Sequence, residues 1–311
     1  MVRDTLLLFT ALLLLFSGGK YLVESSVAIA RLFRIPTMII GLTVVAFGTS
    51  TPELLVSLQA AIRGYPEIAM GNVVGSNISN ILLVLAITAI VFPVQVPAKS
   101  VRRDWPIMML VSILLFLLVM DGRLNRLEGG LFLLLLVAYI SYSVVQTRNS
   151  NRLAGEPEYV PSMRWWVAAV IFFVSCAGLA FGADLLVRSA AAIAGELGVS
   201  KRVISITMVA VGTSIPELVT SVIAAMKKES EISLGNIIGS NIMNIVSVLG
   251  FTSLVTPIQV DHQIARFDIP WMMATSVLLL LLMLPSSRSR ITRWEGIFMV
   301  FIYLLYIYFI F

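Results

Sequence analysis

The chain carries one pattern twice. Gly48-Thr49-Ser50-Thr51-Pro52-Glu53 returns as Gly212-Thr213-Ser214-Ile215-Pro216-Glu217, and the two halves align without a gap from Gly18 and Gly182 through Gln95 and Gln259. The match resumes at Arg102, Asp104 and Pro106 against Arg266, Asp268 and Pro270. After a small insertion, Arg126-Leu127-Glu128-Gly129 meets Arg293-Trp294-Glu295-Gly296. This is an internal duplication, so whatever the first half folds into, the second half folds into as well.

Both halves are built of apolar runs. The chain is 59% hydrophobic and 13% charged, whereas about a quarter of a soluble domain is charged, and that excludes a water-soluble globule. Runs of about 18 residues or more, each able to cross ~30 Å of hydrocarbon, recur along its whole length. They predict an all-α polytopic membrane protein with ten transmembrane helices: Thr5–Leu32, Pro36–Ile62, Ile68–Phe92, Trp105–Met120, Leu127–Gln146, Trp165–Leu197, Val203–Met226, Ile232–Val255, Ile269–Leu284 and Ile291–Phe311. Five fall in each half. Because five is odd, the second copy starts on the opposite side of the membrane and enters it upside down, the inverted repeat of a secondary transporter. The units are residues 1–146 and 165–311, joined by a polar linker, 147–164, too short to hold a domain.

Arg3, the apolar stretch Thr5 to Phe16 and Ser17-Gly18-Gly19 have the outline of a secretory signal. Gly18 and Leu22-Val23 recur as Gly182 and Leu186-Val187, however, so the segment reads as a structural first helix. The net charge of +5 belongs to short loops, which argues for membrane orientation and against nucleic acid. One side carries Arg3, Arg63, Arg123, Arg126, Lys201, Arg202 and Arg266. The other carries roughly twice as many cations, Lys99, Arg102, Arg103, Lys227, Lys228, Arg288 and Arg290 among them, and is assigned to the cytoplasm. Both termini and the cell membrane's outer face then coincide, with the linker inside.

In the repeated motif, Pro52 lacks an amide proton and clashes with the carbonyl four residues back, and it biases Thr51 away from helical geometry. A break beside Glu53 leaves carbonyls and the Thr49 and Ser50 hydroxyls facing protein. Irregular backbone at this depth is tolerated only when buried or lining a cavity. The next span supplies Asn72, Ser76 and Asn80, four apart on one face, with Gly71 and Gly75 as an adjoining stripe suited to helix packing. The second copy repeats this with Gly235, Asn236, Gly239, Ser240, Asn241 and Asn244. Two inverted copies would bring Glu53 and Glu217 together at mid-membrane among neutral oxygens. A carboxylate there costs several kcal/mol uncompensated, and neither motif contains a basic partner, so a cation or proton must be bound. Oxygen ligands without histidine or thiol fit Ca2+ or Na+ better than zinc or copper.

Other polar residues read as structural. A single cysteine, Cys176, fits helix packing, and the single histidine, His262, fits a solvated loop. Asp104 and Asp268 are expected at helix starts. Lys20/Asp184 and Glu24/Arg188 swap sign between the copies and are given no transport role.

At Gly48–Glu53 with Gly71-Asn-x-x-Gly-Ser-Asn-x-x-Asn80, and again at Gly212–Glu217 with Gly235–Asn244, the chain resembles the Na+/Ca2+ exchanger family of the Ca2+/cation antiporters, over essentially all ten spans. The resemblance implies broken second, third, seventh and eighth helices around a central site, and long first and sixth helices that slide. It implies Glu53 and Glu217 as acidic ligands shared by Ca2+ and Na+. Thr49, Ser50, Ser76, Thr213, Ser214 and Ser240 would give side-chain oxygens, Ala46 and Ala210 backbone carbonyls, and Asn80 and Asn244 would flank the centre. Relatives that carry Asp where this chain has Asn80 or Asn244 would have a more negative site. Here the formal charge is −2, which balances one Ca2+ and argues against K+ co-transport. The short linker resembles that of a minimal prokaryotic member.

The function expected is Na+-driven Ca2+ antiport, with Ca2+ and Na+ as substrates and no cofactor or protein partner. The alternatives are H+/Ca2+ antiport, since a buried glutamate can trade a cation for a proton, and a passive cation channel. An enzyme is disfavoured, because His262 alone provides no nucleophile and base.

Overall fold

The computed structural model describes residues 2–33, 35–151, 163–196, 212–284 and 290–310. Their backbone is helical almost throughout, as hydrocarbon demands of a chain whose amides must find partners internally. The first half contains α1 (Val2–Leu32), α2 (Thr37–Thr49), α3 (Thr51–Ile62), α4 (Glu67–Val91), α5 (Ser100–Asp121) and α6 (Arg126–Asn151). The second contains α7 (Trp165–Glu196), α8 (Ile215–Met226), α9 (Ser230–Val255), α10 (Ile264–Met283) and α11 (Arg293–Ile310).

Among the described residues, 7 helices are long and apolar enough to cross a membrane, and the bent pair α2–α3 makes up to 8. The expected count of ten is not reached among the described residues. Helix α8 is described only from Ile215, since residues 197–211 lie outside the described set, and α11 has 18 residues opening on Arg293 and Glu295.

Helices α2 and α3 meet at 42°. The residue that leaves the helical region is Ser50, with φ −83° and ψ 6°, rather than Thr51. Thr51 opens α3 and Pro52 occupies its first turn, where a missing amide proton breaks no hydrogen bond. Ser214 repeats this geometry ahead of α8, with φ −85° and ψ 3°. The breaks expected in the third and eighth spans are absent. Helices α4 and α9 continue through widened π-type stretches, Asn80–Leu85 and Asn244–Leu249. Neither contains a proline, so the backbone keeps its donors and takes up the irregularity as longer-range hydrogen bonds.

Two other expectations are corrected. Helices α5 and α10 begin at Ser100 and Ile264, through π-type turns, so Asp104 and Asp268 lie inside them. Asp104 is buried and pairs with Arg103 at 2.9 Å, and Asp268 accepts a hydrogen bond from the Tyr306 hydroxyl at 3.1 Å. Helix α6 runs on to Asn151, into the stretch assigned to the linker; residues 152–162 lie outside the described set.

Helices α1 and α7, with 31 and 32 residues, reach about 46–48 Å at 1.5 Å per residue, well beyond the hydrocarbon thickness. They cross at Gly18 and Gly182. A Cβ on Gly18 would stand 3.1 Å from Leu179 Cγ, and one on Gly182 3.2 Å from Leu15 Cγ, so the repeated glycine sets how closely the pair can approach. This two-helix layer rests on α2 and α8 through Leu22, Val23, Phe172 and Leu179 against Ile40, Val45, Ile215 and Ile223. A second, larger core surrounds α4 and α9. In their most apolar stretches these two are 78% and 89% buried, against 28% for α5, α6, α7 and α10, which places them at the centre.

Two short antiparallel clasps join the halves. Strand β1 (Val94–Gln95) pairs with β4 (Arg290–Ile291), and β2 (Arg123–Leu124) pairs with β3 (Ile258–Gln259). Helix α5 runs between β1 and β2, so the clasps sit a membrane thickness apart. Each half lends the strand after its third span to the strand before the other half's fifth.

Candidate functional site

The site is assembled where the breaks at Ser50 and Ser214 meet the central helices. The kink turns the end of α2 toward α9. Thr49 Oγ1 donates to Asn236 Oδ1 at 3.0 Å and shares a 3.4 Å hydrogen bond with the Ser240 hydroxyl. The Ser50 hydroxyl donates to Glu217 Oε1 at 3.1 Å, and Ser240 donates to the same oxygen at 3.3 Å. On the matching side, the Ser76 and Thr213 hydroxyls share a hydrogen bond at 3.3 Å.

Glu53 stands one turn after Ser50, so the serine that reaches Glu217 belongs to the same kink that presents Glu53. Both carboxylates are 0% exposed. Among the described residues neither forms an ion pair. Both side-chain oxygens of Glu53, Oε2 of Glu217, Oδ1 of Asn80, Oδ1 of Asn244 and Oγ of Ser214 are buried with no hydrogen-bond partner there. Buried polar atoms are paired in the great majority of cases, so a set of unpaired acceptors within these two motifs and the central helices is unusual. These atoms are oxygens that accept, and only the serine can also donate.

Of the residues singled out from sequence, the structure therefore links Thr49, Ser50, Ser240 and Glu217 directly, joins Ser76 to Thr213, and buries Glu53, Asn80, Ser214 and Asn244. Ala46 differs from expectation. Its carbonyl already accepts the Ser50 amide at 2.9 Å and the Thr49 hydroxyl at 3.3 Å, because Ser50 still completes the last turn of α2. Ala210 lies outside the described residues.

Asn72 and Asn236 stood out in the sequence, but the hydroxyls that they reach, Ser57 and Ser221, did not. Asn72 Nδ2 donates to the Glu53 backbone carbonyl at 3.3 Å and to Ser57 Oγ at 3.1 Å, and Asn236 Nδ2 donates to Ser221 Oγ at 3.1 Å. Each asparagine thus holds its acid's helix in register. The signal was present: Ser57 and Ser221 each follow their glutamate by one helical turn in both copies. Cys176 packs as expected, with its Sγ seated where a Cβ on Gly48 would be. His262 is exposed, and no cluster of three or more His, Cys, Asp or Glu exists among the described residues.

The profile of the family described as sodium/calcium exchanger protein matches residues 4–145 and 167–311. Over 317 residues the chain is 38% identical to the putative antiporter CaxA of Alkalimonas amylolytica, covering 100% of this chain and 99% of the relative. Over 340 residues it is 35% identical to the sodium/calcium exchanger MaX1 of Methanosarcina acetivorans, covering 97% of each. Its fold matches that of the sodium-calcium exchanger NCX_Mj, soaked with zero Na+ and Ca2+, with a TM-score of 0.84 at 32% identity over 99% of both chains. A kinked, carboxylate-bearing pair of motifs in a polytopic helical fold, matched end to end by these relatives, means that the chain belongs to the sodium/calcium exchanger family of membrane cation antiporters.

Proposed function

We propose that the protein is a Na+-driven Ca2+ antiporter that loads Ca2+ or several Na+ in turn at one mid-membrane site. Glu53 and Glu217 would supply the charge, and Thr49, Ser50, Ser76, Asn80, Thr213, Ser214, Ser240 and Asn244 the neutral oxygens. The observation that carries the reading is the set of buried oxygens with no hydrogen-bond partner, together with two buried carboxylates with no ion pair, among the described residues. Hard cations take such oxygens as ligands, and Ca2+ accepts six to eight of them in flexible geometry.

The electrostatics supply the coupling. Empty, the site holds up to two uncompensated negative charges in a low-dielectric interior, which is costly to carry through a rearrangement that shuts out water. Loaded with one Ca2+, or with Na+ ions of equal charge, it is neutral and can cross. Ca2+ and Na+ compete for the same oxygens, so passage of one requires return of the other. Residues 1–146 and 165–311 act as inverted halves around the site, a reading supported by the reciprocal clasps β1–β4 and β2–β3. Both termini are placed outside the cell and the 147–164 linker inside.

Reconstituted vesicles loaded with Na+ and diluted into Na+-free buffer should take up 45Ca2+. Glu53→Gln and Glu217→Gln should abolish the uptake while remaining monodisperse in detergent. Equal uptake without a Na+ gradient overturns Na+ coupling, and retained exchange in both variants overturns the site. The second reading, exchange of Ca2+ for H+, draws on the same Glu53 oxygens, which could be neutralised by a proton instead. Strong Ca2+ flux driven by a pH jump in the absence of Na+ decides in its favour.

A further inference from the structure

Asn77 and Asn241 stand one turn before Asn80 and Asn244 and are 1% and 2% exposed. Asn77 Nδ2 donates to the backbone carbonyl of Asn241 at 3.2 Å and faces Met272 Sδ at 3.6 Å. A backbone carbonyl can only accept, so this contact settles which end of the Asn77 amide carries the hydrogens. Its Oδ1 consequently points the other way, where it accepts from Asn244 Nδ2 at 3.0 Å. Across the helix pair, Asn80 Nδ2 donates to Asn241 Oδ1 at 3.1 Å, and Asn241 Nδ2 is turned to Met108 Sδ at 3.7 Å. Both outer amides thus have their nitrogens held. Both have an Oδ1 left buried without a donor among the described residues.

We propose that Asn77 and Asn241 are positioning residues that clamp the amide nitrogens of Asn244 and Asn80, so that each presents oxygen and never N–H to the transported cation. The inference rests on the reading of Asn80 and Asn244 as cation ligands. Its physical basis is that an amide has two unlike ends. Rotated by half a turn, it replaces an acceptor at ligand distance with a donor whose hydrogens repel a cation. A carboxylate at the same position has no wrong end and needs no clamp.

The test is Ca2+ binding by the purified full-length protein in Na+-free detergent solution, with 45Ca2+ as the probe. Asn77→Leu should raise the Kd for Ca2+ about 10–100-fold, the usual cost of removing a residue that orients a metal ligand. In an Asn244→Asp background, where both ends of the side chain are oxygen, the same replacement should shift Kd by less than about 3-fold, the non-additivity expected of residues acting through one contact. An equal factor in both backgrounds, or a Kd for Asn77→Leu within about 2-fold of the parent, overturns the proposal. So does an Asn244→Asp protein that binds no Ca2+, because a carboxylate at a true ligand position still offers the oxygen. Should Asn77→Leu fail to fold, Asn77→Ser, too short to span the two partners, takes its place with the same outcomes. Failure of the underlying site reading looks different: Glu53→Gln and Glu217→Gln would then leave Ca2+ binding untouched.

Discussion

Ser50 and Ser214 occupy matching kinks with nearly the same backbone angles, yet they keep different company. Ser50 donates to Glu217, whereas the Ser214 hydroxyl is buried with no partner among the described residues. Deleting a hydrogen bond to a buried carboxylate costs roughly 1–3 kcal/mol, while deleting an already orphaned hydroxyl costs little. In ion-free buffer, Ser50→Ala should therefore lower the thermal unfolding midpoint clearly and Ser214→Ala hardly at all. With Ca2+ present both should weaken binding, since each removes an oxygen of the proposed site. Equal destabilisation of the two ion-free variants would refute the asymmetry. The motif alone could not reveal this difference, because it lists the same residue types twice and says nothing about which partner each one meets.

Among the elements, the approach of α9 to α2 decides whether Thr49 can reach Asn236 and Ser240 at all. Gly239 is the point of closest approach: a Cβ there would meet the Leu42 carbonyl and lie 2.8 Å from Ala46 Cβ. Gly239→Ala should destabilise by about 1–3 kcal/mol through overpacking and weaken Ca2+ binding by prising α9 from the kink. Gly178, in the middle of α7, has open space around its Cβ position among the described residues, and Gly178→Ala should be neutral or stabilising by up to about 1 kcal/mol. Thermal unfolding of the two variants in detergent checks the contrast, and a Gly239→Ala protein as stable as Gly178→Ala would contradict it. Element existence and most boundaries were legible in the apolar runs. What the runs obscured were the early starts of α5 and α10. There Arg102, Arg103 and Asp104 interrupt the hydropathy although the backbone stays helical, because Asp104 is neutralised by Arg103.

For the molecule as a whole, the proposed inversion of the second half makes a topological demand: matched turns must lie on opposite membrane faces. Arg63, after α3, and Lys227, after α8, are exposed sequence counterparts. With Cys176→Ser as background, Arg63→Cys should react with a membrane-impermeant maleimide from outside intact cells, and Lys227→Cys only after the inner face is opened. Labelling of both from one side would rule out the inverted arrangement. Among the described residues, β1 and β2 each pair with a strand of the other half. Neither half can complete its backbone pairing alone.

The sequence by itself determined the membrane class, the duplication and the acidic pair. Each of these follows from composition or local pattern: apolar length dictates a span, residues matched at one constant offset mark a duplication, and proline in the first turn of α3 and α8 places the helix break just before it. The tertiary structure decided which oxygens meet. It bound Ser50 to Glu217 rather than to its own half, engaged the Ala46 carbonyl within its own helix, and set Asn77 and Asn241 behind Asn244 and Asn80. The pairings between helices depend on the docking of α4 against α9 and of the α2–α3 kink against α8, contacts between residues far apart in the chain. A one-dimensional pattern reports a residue's neighbours along the helix. The acceptor that holds each amide nitrogen, and so fixes where its oxygen points, comes from a different helix, and only packing brings it there.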